Sequence, residues 1–234
     1  MPYRQRVPFT LATKAIPPLC LRPDNTALLI QDMQRILVDP EYGLGKVANE
    51  RGILIEFDPY YQQVEKVTEN ITRLKERVTT VGMPVIYTRL AYDRSQGSMP
   101  STFQRAIGLA VPIDAEGSEI IPALAPTEED FIILKKGFGG FSGETGLNKL
   151  LKGMGVDNII VTGAITEFGV RGTAAGAQDL GYHPLVISDG TASMTHATQS
   201  RTLGEICYGL TKVRSTGEVL TYLDEMVETD GKFV

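Results

Sequence analysis

The regular alternation of short apolar runs with longer amphipathic stretches is the feature that most constrains the fold of this chain. Strand-like runs begin at residues 27, 84, 131, 158, 185 and 212. Helical patterns lie between them, over residues 59–81, 144–154, 166–180, 197–209 and from 216 to about 228. Continuous apolar runs are typical of parallel strands covered on both faces. We therefore predict a three-layer α/β/α sandwich with a mainly parallel, doubly wound sheet.

The length and the distribution of proline indicate one domain with an N-terminal extension. A chain of 234 residues with 42% hydrophobic residues is long enough to bury one substantial core. Residues 1–25 are rich in proline and show no periodicity, so we expect an arm that packs on the body or on a neighbouring subunit. The domain itself is expected over 26–234. Residues from 91 to about 118 form a long connection of the kind that often covers a site.

Charge and hydropathy exclude several classes of partner. The net charge of -5 and the pI near 5.2 argue against binding to nucleic acid or to an anionic membrane. The first 25 residues contain no apolar signal segment, and no run reaches membrane-spanning length. We expect a soluble cytoplasmic protein. Cys20 and Cys207 have neither metal-site nor redox spacing.

Charged residues follow two of the predicted strands, at the edge where parallel sheets bind ligands. Asp32 follows the first strand, and Lys135 and Lys136 end the third. A carboxylate and an ammonium in a partly dry crevice keep each other charged and are able to share proton transfer. Taken singly, each residue is better explained as a turn cap or a solvated charge.

Three longer motifs strengthen the case. They are ALLIQDMQ at 27–34, KKGFGGF at 135–141 and IIVTGAITEFGVRGTAAGAQDLGY at 159–182. In this order the motifs resemble those of the isochorismatase-like hydrolases, and the similarity covers most of residues 26–222. The family's lysine corresponds to Lys135, because only that register places Phe138 and Phe141 on the motif's aromatic positions.

The resemblance implies a site with one unusual residue. Gly169 stands where most relatives carry a nucleophilic cysteine at the start of a helix. The Ala164–Ile165 peptide would be cis, and the N–H groups of Ile165 and Gly169 would form an oxyanion hole. The amide-cleaving relatives need the thiolate, which glycine cannot replace.

True isochorismatases offer a mechanism that needs no thiol. They hydrolyse a vinyl ether, often carry glycine at this position, and use the aspartate as a general acid. By resemblance, we predict a hydrolase of a small carboxylate- or amide-bearing molecule that works through Asp32 and Lys135 without a cysteine.

The match to that branch is incomplete. Isochorismatases usually have histidine before the aspartate and Trp-Arg after the lysine, whereas this chain has Gln31 and Lys136-Gly137. The strand end at 87–92 is more similar to the branch that hydrolyses carbamoyl compounds and amides. The alternative is therefore an amidohydrolase scaffold whose cysteine was lost or mutated to Gly169, acting as a pseudoenzyme or a small-molecule binding protein.

Other residues near the strand ends have two interpretations each. Arg89 either clamps a substrate carboxylate or pairs with an acid in the long connection. Glu167 either acts as a base for water or is a first-turn acid favoured by the helix dipole. Phe138, Phe141 and Phe168 either form an apolar wall for a small ring or belong to the core.

No cofactor is predicted. The glycines from Gly137 to Gly143 fail the dinucleotide-binding spacing, because Ser142 stands where that motif requires glycine. His183 and His196 lie late in the chain, away from the first strand, so we predict no metal. The expected partner is a small-molecule substrate, and the resemblance implies a homo-oligomer, either a dimer or a tetramer.

Overall fold

The computed structural model describes residues 20–97, 99–209 and 211–228, and its centre is a six-stranded sheet. The strands are β1 (Thr26–Gln31), β2 (Val85–Leu90), β3 (Phe131–Lys135), β4 (Asn158–Ala164), β5 (His183–Ala192) and β6 (Lys212–Arg214). Their order is β3-β2-β1-β4-β5-β6, and each neighbouring pair is parallel. The predicted parallel α/β architecture is confirmed.

Helices cover both faces of this sheet. They are α1 (Arg35–Val38), α2 (Gly43–Glu50), α3 (Asp58–Thr80), α4 (Thr102–Ala106), α5 (Leu147–Gly153), α6 (Arg171–Asp179), α7 (His196–Gly209) and α8 (Thr216–Glu228). One core cluster packs α3 and α8 against one face, and a second packs α5, α6 and α7 against the other. The result is the three-layer sandwich expected for buried parallel strands.

Helix α3 shows how the sequence pattern produces this packing. Proline stands in its first turn, where its missing N–H costs no hydrogen bond. Its apolar side chains recur at three- and four-residue steps, and all of these are buried: Tyr60, Val64, Val67, Ile71, Leu74 and Val78. Full burial of such side chains contributes about 1.5–3 kcal/mol each. This stripe holds α3 against the centre of the sheet.

The strand order reverses beside β1, which is the usual position of a ligand-binding crevice in such sheets. Gln31, the last residue of β1, pairs with Thr88 of β2 on one side and with Gly163 of β4 on the other. A Cβ at position 163 would lie 2.1 Å from the carbonyl oxygen of Gln31, and Gly163 has φ +105°. Glycine is therefore required for this close approach of β4 to β1.

The structure adds detail that the periodicity did not predict. Helices α1 and α2 follow β1 directly, and the connection after β2 contains α4. Residues 166–170 form a π-helical turn before α6 rather than its first α-helical turns. Most of the predicted N-terminal arm lies outside the described residues, which begin at 20. No helix in the described ranges is long and apolar enough to span a membrane.

Candidate active site

Asp32 lies at the carboxyl end of β1, where the backbone leaves the sheet. Its φ is +48°, a left-handed conformation that aspartate tolerates better than most residues. Only 2% of the residue is exposed. The Thr88 hydroxyl donates to Asp32 Oδ1 at 2.7 Å, and the Asp32 N–H contacts the same hydroxyl oxygen at 3.2 Å. The neighbouring strand thus holds this carboxyl group in place.

Lys135 reaches Asp32 from β3, on the far side of β2. Its Nζ lies 2.6 Å from Asp32 Oδ2, and the two side chains are 0% and 3% exposed. Nζ also donates to the carbonyl oxygens of Gly137 and Phe138, both at 2.8 Å. Three acceptors match the three N–H groups of an ammonium. The structure therefore brings the two predicted charged residues together as a buried ion pair.

Gln31 is the third member of this network, and sequence reasoning missed it as a site residue. Its Nε2 donates to Asp32 Oδ2 at 2.8 Å and to the Phe138 carbonyl oxygen at 3.0 Å. Its Oε1 accepts from the Thr173 hydroxyl at 2.9 Å. The side chain is fully buried. Its position next to the aspartate was the only sequence signal.

Opposing effects act on the pKa of Asp32. Burial raises it, because a charged carboxylate loses its hydration. The nearby ammonium of Lys135 and the hydrogen bonds from Lys135, Thr88 and Gln31 lower it, but the pKa remains above its ordinary value. The carboxyl group is therefore easier to protonate than an exposed aspartate.

Gly169 lies in the π-helical turn that joins β4 to α6. The Ala164–Ile165 peptide bond, expected to be cis, is cis in the structure. Gly169 is buried, and a Cβ at this position would lie 3.0 Å from Gln31 Nε2. The side-chain amide of Gln31 therefore lies between Gly169 and the carboxyl group of Asp32. Ile165 is also buried, immediately before the turn.

Aromatic rings form one side of the site. The centroids of Phe138 and Phe168 are 5.5 Å apart, and those of Phe138 and Phe103 are 6.1 Å apart. Phe103 belongs to α4, and its ring and that of Phe168 are about half exposed. Phe141 lies elsewhere: it stacks on Tyr182 and packs against the core cluster of α5, α6 and α7. The structure brings Phe138 and Phe168 together, adds Phe103 and gives Phe141 a packing position.

Arg89 anchors the long connection. Its Nε donates to the Ser118 carbonyl oxygen at 2.9 Å, and its Nη2 donates to the Ile113 carbonyl oxygen at 3.2 Å and to the Ser118 hydroxyl. Burial lowers the pKa of the guanidinium, and the charge of Glu119 opposes that effect. The side chain hydrogen-bonds carbonyl and hydroxyl oxygens of the connection, and its role toward a substrate carboxylate stays a prediction.

Glu167 lies in the π-helical turn, beside the segment after β5. Its Oε1 accepts from the Met194 N–H at 3.3 Å, whereas Oε2 is buried and has no hydrogen-bond partner among the described residues. The hydroxyl groups of Thr166 and Ser193 are also buried and have no hydrogen-bond partner among the described residues. Unpaired buried polar groups are costly and commonly mark sites occupied by water or ligand.

A small open pocket lies under the connection at the carboxyl end of β2. Tyr92, Gln104 and Lys136 provide its polar lining, and Leu90 and Leu109 contribute apolar surface. Gln104 also donates to the Lys136 carbonyl oxygen at 2.7 Å, which ties α4 to the end of β3.

Neither cysteine lies near Asp32. The Cys20 carbonyl oxygen accepts from the side chain of Asn158, at the start of β4 and the opposite end of the sheet. Cys207 packs against the second core cluster. Within the described ranges, no group of three or more His, Cys, Asp or Glu residues is arranged to hold a metal ion.

Comparison with known proteins finds a matching family model and several related sequences. Residues 26–218 match the isochorismatase domain. The isochorismatase family protein YwoC of Bacillus subtilis is 26% identical over 84% of this chain and 93% of its own length. The N-carbamoylsarcosine amidase of an Arthrobacter species is 28% identical over 70% of this chain and 63% of its own length. The isochorismatase of Bacillus subtilis is 27% identical over 66% of this chain and 44% of its own length.

Solved structures show the same architecture. A cysteine hydrolase from Pseudomonas syringae pv. phaseolicola superposes with a TM-score of 0.74 and 25% identity, over 89% of this chain and 96% of that one. An isochorismatase-like hydrolase from Alkaliphilus metalliredigens has a TM-score of 0.66 and 25% identity, over 85% and 98%. The two match this chain over nearly their whole length.

Proposed function

The chain belongs to the isochorismatase family of hydrolases, and from that premise we propose that it cleaves the C–O bond of a small enol ether without a covalent nucleophile. Asp32 is the proposed general acid, and Lys135 is the group that orients it. The proposed substrate carries a carboxylate as well as the enol ether.

The observation that supports the proposal is the state of the Asp32 carboxyl group. Its pKa is raised by burial, and its oxygens are oriented by Lys135, Thr88 and Gln31. A general acid works best when its pKa approaches the working pH. Gly169 offers no thiol, and protonation of an enol ether needs none.

The proposed reaction begins with proton transfer. Asp32 donates its proton to the terminal carbon of the enol ether double bond, which leaves a cation stabilised by the ether oxygen. Water adds to the cationic carbon while Glu167 takes one of its protons. The hemiketal then collapses to a ketone and an alcohol, and proton exchange with solvent restores Asp32 and Glu167. The net change is the addition of one water molecule across the C–O bond.

Backbone groups and aromatic rings are proposed to bind the substrate. The N–H groups of Ile165 and Gly169 lie where the chain enters a helix, a position that favours negative charge. They are assigned as the oxyanion hole and would hold a carboxylate of an enol ether or a developing oxyanion of an amide. Phe138 and Phe168, with Phe103, provide the wall for an apolar ring.

A second candidate function follows from the comparisons. The similarity to N-carbamoylsarcosine amidase and to a cysteine hydrolase favours a C–N bond as the ancestral target. With Gly169 in place of a thiol, a chain of this descent would bind a carbamoyl compound or an amide without cleaving it.

The test compares the unaltered protein with Asp32→Asn and Gly169→Cys. Each is incubated with isochorismate and with a set of carbamoyl compounds and cyclic amides, and products are identified by mass spectrometry. We expect the unaltered protein to release a keto acid from the enol ether, and Asp32→Asn to lose at least about a hundredfold in rate. Amide cleavage by Gly169→Cys alone, with no enol ether turnover by the unaltered protein, would contradict the proposal.

Homo-oligomer formation remains part of the proposal. The edge strand β3 leaves Phe131, Ile132 and Leu134 partly exposed, and apolar edge strands commonly pair with another chain. Light scattering measures the oligomeric state of the unaltered protein and of Ile132→Lys, which places a charge on this edge. The comparison tests whether β3 forms the contact between subunits.

A further inference from the structure

We propose that Gln31 is a positioning residue that determines which oxygen of Asp32 carries the acid proton and that occupies the space which a side chain at position 169 would need. The inference deepens the function proposed above and rests on it for its effect on turnover. Its structural part is testable without any substrate.

The orientation of the Gln31 amide follows from the donors around it. The Gly140 N–H donates to the Thr173 hydroxyl oxygen at 2.7 Å. The Thr173 hydroxyl therefore has its own proton available for Gln31 Oε1, 2.9 Å away. With Oε1 committed as an acceptor, the NH₂ group of Gln31 faces Asp32 and the Phe138 carbonyl oxygen. A hydroxyl on α6 thus orients an amide on β1.

This orientation leaves one place for a proton on Asp32. Oδ2 accepts from both Lys135 and Gln31, and the remaining N–H groups of these two residues are bound to carbonyl oxygens. A proton on Oδ2 would displace one of these donors. Among the described residues Oδ1 contacts the Thr88 hydroxyl alone, whose oxygen already accepts from the Asp32 N–H and is able to accept a second hydrogen bond when the hydroxyl rotates. The acid proton is therefore assigned to Oδ1.

Gln31 also occupies the space next to Gly169. A Cβ at position 169 would lie 3.0 Å from Gln31 Nε2, 3.2 Å from its Cγ and 3.3 Å from the Ala164 carbonyl oxygen, which is tighter than side chains normally pack. Hydrogen bonds to Asp32, Phe138 and Thr173 hold the amide, so a shift of a few tenths of an ångström away from position 169 strains them. Gly169 and Gln31 are therefore coupled: a side chain at position 169 presses on the Gln31 side chain.

The first experiment measures protonation of Asp32 by infrared difference spectroscopy during a pH titration, with Asp32→Asn identifying the carboxyl band. Gln31→Met keeps the side-chain length but removes the donor that lowers the pKa of Asp32. We expect the protonated band to persist to higher pH. Lys135 acts directly on Asp32, and Tyr60 is within range of the charges of both Asp32 and Glu167; all of these groups are unchanged in this variant.

Thr173→Val provides a second variant for the same titration. It leaves Gln31 in place and removes the hydroxyl that orients the amide, which also takes away the acceptor of the Gly140 N–H. We expect a smaller change in the same direction. If the Asp32 band titrates as in the unaltered protein in both variants, the positioning role is wrong. Where enol ether turnover is found, kcat of Gln31→Met should fall about tenfold with little change in KM.

The second experiment tests the shared space by a double-mutant cycle. Gly169→Cys should lower Tm by about 5 °C, because the new side chain presses on Gln31. In the Gln31→Ala background the same substitution should cost much less, and the new thiol should react readily with a maleimide. Gly204→Cys is the control, because a Cβ there meets nothing within 4 Å and should not couple to Gln31.

The outcomes separate this inference from the proposed function. Equal costs of Gly169→Cys in both backgrounds would overturn the spatial coupling. A shifted Asp32 titration together with no turnover of any enol ether would overturn the proposed function and leave the role of Gln31 intact.

Discussion

The ammonium nitrogen of Lys135 lies 2.6 Å from a carboxyl oxygen of Asp32, with both side chains almost completely removed from water. Such a pair is costly to break, because the remaining partner is left as an uncompensated buried charge. A buried carboxyl group, however, is able to escape that cost by taking up a proton. The effect of removing the lysine therefore depends on pH.

Lys135→Met should lower the free energy of unfolding by about 3 kcal/mol at pH 8 and by less at pH 5. Burial already raises the pKa of Asp32, and loss of the ammonium raises it further. A group whose pKa is raised in the folded state contributes stability at low pH that is lost as the pH rises through the folded pKa. Denaturant unfolding at both pH values measures the effect. Lys136→Met is the matched control and should change stability little, because Lys136 is exposed.

Glu167→Gln should reduce turnover of the enol ether at least about tenfold while leaving Tm nearly unchanged. Glutamine retains an oxygen for the Met194 N–H but cannot take a proton from water. Steady-state kinetics and thermal unfolding measure the two quantities. Glu205→Gln is the control on an exposed carboxylate of α7. Unchanged kcat in Glu167→Gln would leave only the helix-dipole role.

Phe168→Ala should affect substrate binding, whereas Phe141→Ala should affect stability. The Phe168 ring is about half exposed beside Phe138, so its removal should raise KM about fivefold, equivalent to about 1 kcal/mol of ring contact, with little effect on stability. Phe141 stacks on Tyr182, so its removal should cost about 2 kcal/mol of stability without changing KM. Kinetics and denaturant unfolding of both variants test the assignment. A raised KM in Phe141→Ala would place that ring in the binding wall after all.

Arg89→Met should loosen the connection between β2 and β3. The guanidinium donates to oxygens of Ile113 and Ser118, so its loss removes three hydrogen bonds that hold the connection and leaves those from Gln34 and from the Ser118 hydroxyl. We expect faster proteolysis and faster amide exchange between residues 91 and 130. Arg89→Lys should restore little, because an ammonium cannot reproduce the planar fork. Arg73→Met, on the exposed side of α3, should leave both rates unchanged.

Much of the fold was predictable because its signals are local. Buried parallel strands require continuous apolar runs, and amphipathic helices require three- and four-residue spacing, so α3 and the starts of β1 to β6 appear in the sequence close to their observed positions. Strands β4 and β5 extend beyond the predicted runs, to Ala164 and Ala192. The two short helices after β1, α1 and α2, were not predicted. In α2 the buried residues are Gly45 and Ala48, which pack closely without forming an apolar stripe.

The sequence by itself determined the parallel α/β architecture, the family resemblance and the two charged residues at the strand ends, since each is encoded within a few consecutive residues. Only the tertiary structure decided that Gln31 contacts Asp32 and Phe138, that Arg89 binds the connection, and that Phe103 joins the aromatic wall. These contacts join residues that are distant in sequence or depend on side-chain direction. Periodicity reports burial along one element, whereas such contacts depend on how separate elements meet at the edge of the sheet.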